Sequence, residues 1–406
     1  MSPHIAADQG SRHPSHVLVV GASAAGLTTA ETLRRKGYAG RLTLLGGERH
    51  LPYDRPPLSK QVLDGTRAPD TARLRAPDAL TALDAEILLG DPATGLDAET
   101  RTVRTASGRE LRADAVIIAT GVRPRTLPVP PGTEGVHGLR TLDDALALRA
   151  GLLASRRLVV AGEGVLGSEI AATARTMGLD VTLAGPRPAP MLAQFGPVIA
   201  DRLAALHTGH GVRLRLGHAV TGLTGARGRV TGVRLDTDEV LPADLVVVAI
   251  GAEPATGWLA GSGLRVDNGV VCDSRCRAAE GIYAVGDVAR WHHELLDASM
   301  RLENRTNATE QAMAVADTIL GADRPYVPVP YFWTDQFDAR IQTHGSFPPD
   351  AHVAVVDGDL ASGRFVARCE QGGRVTGVIG WNMPRQARLR RPEIGGPAPA
   401  LAPAAP

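Results

Sequence analysis

Two glycine-rich hexapeptides carry the most direct chemistry in this chain, Gly21-Ala22-Ser23-Ala24-Ala25-Gly26 and Gly162-Glu163-Gly164-Val165-Leu166-Gly167. Each follows a short apolar run (residues 17–20 and 157–161) and precedes a stretch with apolar residues at helical spacing. A strand-to-helix turn of small residues aims backbone N–H groups and the positive helix end at one point. A pyrophosphate fits there when no side chain blocks its approach. The second copy is a full GxGxxG. The first has Ser23 at the middle position, where a Cβ intrudes but a hydroxyl can donate. Two such turns about 140 residues apart point to two nucleotide sites.

An acid that accepts from a ribose hydroxyl is expected about 20 residues past such a turn. Glu48 occupies that place in the first unit, where the alternative is a solvated loop charge. In the second unit the place reads Ala184-Gly185-Pro186-Arg187, without an acid. Arg187 either faces a 2′-phosphate, which would favour NADPH over NADH, or is an ordinary loop arginine. Each unit later returns with a similar strand, one ending Ala119-Thr120-Gly121 and the other Ala249-Ile250-Gly251. Tyr283-Ala284-Val285-Gly286-Asp287 reads as a strand ending in small residues and one acceptor. That suits close approach of a polyol; Asp287 as a helix N-cap is the alternative. Lys36 and Lys60 are the only lysines among 44 basic residues, and a lysine kept in an arginine background can serve as a compact ammonium.

The elements that must position these residues are short, nearly continuous apolar runs flanked by glycine. Such runs read as strands buried on both faces of a parallel sheet with helices on either side. The first unit is strand 17–20, helix 25–36 and strand 41–45; the second is strand 157–161, helix 166–177 and strand 180–184. Gly37 and Gly178 follow the helices as C′ residues. Beyond residue 322 prolines interrupt and aromatics gather between Tyr326 and Phe347, which predicts a small α+β domain with strands near 351–356, 364–369 and 374–380.

The 406 residues predict two or three domains. A net charge of +1 gives no signal for nucleic acid, and no run of 18 apolar residues predicts a membrane span. Three cysteines (Cys272, Cys276 and Cys369) and a polar start without a signal-peptide core point to the cytoplasm. His292 and His293 are read as loop histidines and no metal is expected.

Leu51-Pro52-Tyr53-Asp54-Arg55-Pro56-Pro57-Leu58-Ser59-Lys60 is the most specific stretch. It stands with Ala119-Thr120-Gly121-Val122-Arg123-Pro124-Arg125, Gly286-Asp287, Asn307-Ala308-Thr309-Glu310-Gln311 and Phe332-Trp333-Thr334-Asp335-Gln336. Through these, residues 16–392 resemble the FAD-dependent, NAD(P)H-linked ferredoxin reductases of bacterial oxygenase systems, of the putidaredoxin and rubredoxin reductase type. Those belong to the pyridine nucleotide-disulfide oxidoreductase superfamily. The resemblance implies an α/β fold of two Rossmann-like, doubly wound nucleotide-binding domains plus a small α+β C-terminal domain. Residues 15–122 with 252–322 would bind FAD, 123–251 would bind NAD(P)H, and 323–395 would cover the flavin and meet an iron–sulfur partner. Residues 1–14 and 396–406 are expected to be disordered tails.

Carried over residue by residue, the resemblance sets Gly21, Ser23, Ala25, Gly26 and Glu48 around the ADP half of FAD. It sets Arg55 and Lys60 beside the pyrophosphate and isoalloxazine, with Ala93, Ala119, Thr120, Gly121, Arg140, Gly286, Asp287 and Arg305 along the cofactor. Trp333 either covers the flavin or anchors the C-terminal domain. Gly162, Gly164, Val165, Leu166, Gly167, Glu169, Arg187 and Gly251 would take the nicotinamide nucleotide. Lys60 and Glu169 are implied to meet near flavin N5 as the catalytic pair, where a cation stabilises negative charge on reduced flavin. The implied partner is a two-iron ferredoxin, with Arg385, Arg388, Arg390 and Arg391 either its basic docking surface or a solvated helix face.

This chain departs from the family pattern at Ser23, Gly47 and Gly185, and in carrying Arg305 where tryptophan is usual. The alternatives are therefore an NADH oxidase, a nitrite or rubredoxin reductase component, or a low-turnover flavin-binding protein similar to apoptosis-inducing factors. A disulfide reductase would need a cysteine pair beside the flavin, and no cysteine precedes Cys272.

Overall fold

A computed structural model describes residues 13–129, 132–348 and 350–398. The chain forms two compact units. One runs up to Asp54 and adds Arg73–Val122 and Pro254–Pro328; the other comprises Arg55–Ala72, Arg123–Glu253 and the chain from Val329 onward. The predicted tails lie outside the described residues except for 13–14 and 396–398, and Pro397 pairs with Arg374 in a β-bridge.

In the first unit the run His16–Val20 lies at the heart of a six-stranded sheet. The order is Arg277–Ala279, Ile282–Ala284, Ala115–Ile118, His16–Val20, Arg41–Gly46, Glu86–Leu89, and every pairing is parallel except that of the first two strands. Val17, Leu18 and Val19 are wholly buried, as strands covered on both faces must be. The helix Ala24–Arg35 turns Leu27, Ala30 and Leu33 inward at helical spacing. It ends at Gly37, whose φ of +88° no β-carbon favours.

The second unit repeats this plan. Its five-stranded parallel sheet has the order Arg213–Leu216, Asp180–Gly185, Arg157–Ala161, Leu245–Val248, Val136–His137. Helix Val165–Thr176 follows the central strand and buries Ile170 and Ala174. The registers correspond: Val20 pairs with Leu45 and Ile118, and Ala161 pairs with Ala184 and Val248. The α/β reading of both halves is borne out.

The same unit ends in a five-stranded antiparallel sheet ordered Tyr331–Gln336, Ala339–Gly345, Arg374–Trp381, Arg364–Gln371, His352–Asp359, followed by helix Pro384–Arg390. Three of these strands match the predicted segments. The other two fall in the proline- and aromatic-rich stretch where no strand is expected. Phe195, Phe365 and Trp381 anchor the core beneath this sheet.

His292 and His293 correct another expectation. They lie in strand Ala289–His293 rather than in a loop, with His293 buried and its Nε2 bonding the Pro328 carbonyl at 3.1 Å.

Candidate functional site

Both glycine turns adopt the same backbone. Gly21 and Gly162 have φ of +124° and +118°, and a Cβ at either would stand 2.2 Å from a return-strand carbonyl, Ala119 O or Ala249 O. A Cβ at Gly26 or Gly167 would stand 1.8 Å from the carbonyl of Gly21 or Gly162. These four glycines are therefore demanded by close backbone approach. The middle position is not: Ser23 and Gly164 are both extended N-caps (φ −110° and −74°), a conformation open to any residue. The Ser23 hydroxyl makes no capping bond, and a Cβ at Gly164 would meet nothing within 4 Å. The serine departure thus leaves the cradle's backbone unchanged. Ala25 is buried and Val165 and Leu166 are half-buried in the first turns of their helices.

Around the first turn, Glu48 lies just past strand Arg41–Gly46 and accepts a hydrogen bond from the Tyr53 hydroxyl. It is a positioned carboxylate, not a free loop charge. Ala93 begins a strand packed on the core, and the Thr120 hydroxyl donates to Ala255 O at 3.0 Å. Gly121, like Gly251 in the other half, has positive φ (+69° and +95°).

Gly286 also has positive φ, and a Cβ there would lie 3.2 Å from Ala25 Cβ and 3.6 Å from Ala308 Cβ. Its N–H donates to Gln311 Oε1 at 2.8 Å. Buried Asn307 donates to the same oxygen at 3.4 Å and accepts from the Tyr326 hydroxyl at 3.1 Å. Asp287 lies inside a short 3-10 turn, Gly286–Val288, rather than N-capping a helix, and its carbonyl accepts from Arg301. Arg305 opens helix Arg305–Ile319 and pairs with Asp54 at 2.6 Å, which balances the charge that a tryptophan would not carry.

The second unit holds the ion pair. Lys60 Nζ lies 2.7 Å from Glu169 Oε2, with the two side chains 11% and 7% exposed. Ser59 Oγ donates to the same oxygen at 2.5 Å and Thr334 Oγ1 to Glu169 Oε1 at 2.9 Å. Behind Thr334, Gln336 donates to its hydroxyl at 3.1 Å and accepts from His207 Nε2 at 2.8 Å. Burial lowers the pKa of His207, so it serves this chain as a neutral donor. Lys60 is no exposed loop lysine and Glu169 is more than a first-turn acid.

Arg55 donates to the Arg140 carbonyl, which brings those two expected residues together. Trp333 stacks on Tyr331 at 6.1 Å, alternating along the strand with Thr334 and Gln336. Arg187 is exposed. Arg385, Arg388 and Arg391 are exposed at the chain's end, while Arg390 pairs with Glu393 at 3.0 Å.

Sequence reasoning missed Ser59, Thr334, Gln336 and His207 in this network. The first three lay within the quoted motifs, and the i, i+2 spacing of Thr334 and Gln336 was the available signal. His207 had none.

Residues 15–312 match the family described as pyridine nucleotide-disulphide oxidoreductase, and residues 331–403 match a reductase C-terminal family. The chain belongs to the pyridine nucleotide-disulphide oxidoreductase family. Rhodocoxin reductase of Rhodococcus erythropolis is 36% identical over 377 residues, covering 92% of this chain and 88% of the relative. The ferredoxin reductase for the CYP199A2 system of Rhodopseudomonas palustris superposes with a TM-score of 0.88 at 35% identity, covering 91% of each chain. The putidaredoxin reductase of a covalent complex with putidaredoxin superposes equally well, with a TM-score of 0.88 at 34% identity over 93% of this chain and 92% of that one.

Although the family is named for disulphide chemistry, all three cysteines here are free and buried. Burial pushes the Cys276 thiol up to about 12 and Cys272 well above its ordinary value. No helix among the described residues is long and apolar enough to cross a membrane. The family's flavin cofactor fits the first cradle: the crowded glycines hold the turn open, Ser23 has a spare hydroxyl, and the small residues Ala25, Gly286 and Ala308 meet behind it.

Proposed function

We propose that the chain is an NAD(P)H-dependent ferredoxin reductase that passes electrons through FAD to a small two-iron ferredoxin, which supplies an oxygenase. The observation that carries this reading is the doubled cradle, one backbone geometry built twice, each copy suited to a pyrophosphate. The similar structures include a ferredoxin reductase and a putidaredoxin reductase held in a covalent complex with putidaredoxin.

When bound, FAD supplies the exchange between a two-electron donor and one-electron acceptors. The work of this chain is binding and electrostatics. In this reading residues 15–122 with 252–322 hold FAD and residues 123–251 take the nucleotide. Residues 323–395 contribute Trp333 and, with Arg385, Arg388 and Arg391, a basic surface for an acidic partner. Lys60 is held as an ammonium by Glu169, fixed in place by the Ser59 and Thr334 hydroxyls. A buried cation beside the flavin would favour its reduced, anionic form. The three free cysteines suit a reducing compartment, the cytoplasm.

The test is turnover of the FAD-loaded protein with NADH or NADPH, cytochrome c as terminal acceptor, and a panel of two-iron ferredoxins. Cytochrome c reduction is expected to rise with added ferredoxin. A rate that no ferredoxin raises defeats the assignment.

A further inference from the structure

In a βαβ nucleotide site the carboxylate that reads the ribose normally comes from the end of the second strand. Here that strand, Asp180–Gly185, ends in a glycine with no side chain to offer. It runs parallel to Arg157–Ala161, and Gly162 N–H donates to Ala184 O at 2.7 Å, so Gly185 sits beside the glycine turn.

The space next to Gly185 is filled from the turn itself. A Cβ on residue 185 would stand 1.8 Å from Glu163 Oε2 and 2.7 Å from Glu163 Cδ. The Glu163 carboxylate therefore occupies the volume in which a strand-end side chain would begin. Its backbone is pinned: Glu163 O accepts from Met191 N at 2.9 Å and from Ser168 Oγ at 3.3 Å. The side chain is half-buried, and among the described residues no hydrogen bond or ion pair engages its carboxylate. Two departures thus compensate each other: an acid inside the turn and a glycine where the acid should be.

We propose that Glu163 is the ribose-reading acid of the nicotinamide nucleotide, supplied from inside the glycine turn, and that it makes this chain select NADH over NADPH. The inference rests on the reading of the second cradle as the nucleotide site. A carboxylate there accepts from the vicinal hydroxyls of an unmodified ribose. Facing a 2′-phosphate it meets like charge with no proton to share. Arg187, exposed two residues past Gly185, is the nearby cation that would reverse this choice if it were the reader.

The experiment compares wild type, Glu163→Gln, Arg187→Ala and the swap Glu163→Gly/Gly185→Glu, all FAD-loaded. Binding of NAD+ and NADP+ is measured by calorimetry, and oxidation of NADH and NADPH with ferricyanide as acceptor. Wild type should bind NAD+ and prefer NADH. Losing charge-assisted bonds to the ribose should weaken NAD+ binding in Glu163→Gln by about 10–100-fold, on KM rather than kcat, and narrow the preference against NADPH. The swap should restore the NADH preference.

A Glu163→Gln variant that weakens both nucleotides equally, or neither, overturns the proposal. So does a wild-type preference for NADP+ that disappears in Arg187→Ala. Calorimetry needs no ferredoxin, so a chain that discriminates NAD+ through Glu163 yet drives no ferredoxin reduction defeats the proposed function and leaves this inference standing.

Discussion

Removing the Lys60 charge tests whether the buried pair acts as one unit. Lys60 and Glu169 are 2.7 Å apart and nearly enclosed, so replacing either alone strands a charge. Breaking a buried pair this way costs roughly 3–5 kcal/mol. Lys60→Met leaves Glu169 with the Ser59 and Thr334 donors, and Glu169→Gln, with one carbonyl oxygen, leaves one of those hydroxyls its acceptor. Both singles should therefore fall near the low end, about 3 kcal/mol. The double variant strands no charge and loses three hydrogen bonds, those of Lys60 Nζ to Glu169 and to Ser59 Oγ and one hydroxyl bond to the carboxylate, each worth about 1 kcal/mol, so its cost should also be about 3 kcal/mol rather than the additive 6. With a urea slope of roughly 3 kcal/mol per molar, each of the three variants should lower the unfolding midpoint by about 1 M. Circular dichroism on the FAD-loaded protein reads this directly. A double variant lower by about 2 M, the sum of the singles, would show that the two charges do not stabilise each other, and the argument for a held ammonium would collapse.

Gly26→Ala places a Cβ 1.8 Å from Gly21 O, so this variant should purify with little bound flavin, read as absorbance near 450 nm after desalting. Gly164→Ala meets open space in an extended conformation and should keep stability within about 0.5 kcal/mol of wild type in the same urea assay. His344 is buried and held at a pKa of about 4, by burial first and then by Arg391 and Arg388. The unfolded chain takes up a proton near its ordinary value while the folded chain does not, so stability falls as pH drops from about 6.5 toward 4. Glu and Asp titrations overlap this window, but His344→Gln should flatten that slope relative to wild type in urea midpoints taken at pH 7, 6 and 5. All three thiols are buried, so a thiol-reactive dye should label none of them quickly in the native protein and all three in denaturant.

The sequence makes the two crossover units legible because their signals are local. The apolar runs, the helical spacing of Leu27, Ala30 and Leu33, and glycines forced by backbone approach are all readable within about 30 residues. The ion pair's network is not local: Lys60 and Glu169 are 109 positions apart, and Thr334 lies 165 beyond Glu169. No periodicity links residues at that range, so the pairing enters only through the family resemblance. Strands Tyr331–Gln336 and Ala339–Gly345 escape notice for a different reason. Prolines at 325, 328 and 330 look like breakers, yet the first strand begins directly after Pro330, where a missing N–H costs no ladder bond. His293 escapes because a strand histidine bonded to a carbonyl has no pattern that separates it from a loop histidine.

The two cradles also show which parts of such a site are fixed and which are free. Gly21, Gly26, Gly162 and Gly167 are fixed because the return strand and the turn's own carbonyl occupy the space a Cβ needs. The middle residue and the acid have no such constraint, and there the halves diverge. The first half keeps a serine in the turn, and its available carboxylate, Glu48, lies beyond the second strand, held by Tyr53. The second half keeps glycine in the middle, and its available carboxylate, Glu163, comes from the turn. A pyrophosphate needs converging N–H groups in one geometry, and so the backbone is repeated. A ribose diol needs only a carboxylate within reach, and more than one backbone position can supply it. Departures such as Gly185 are therefore weak grounds for reading a lost site until the volume they vacate has been checked for a substitute.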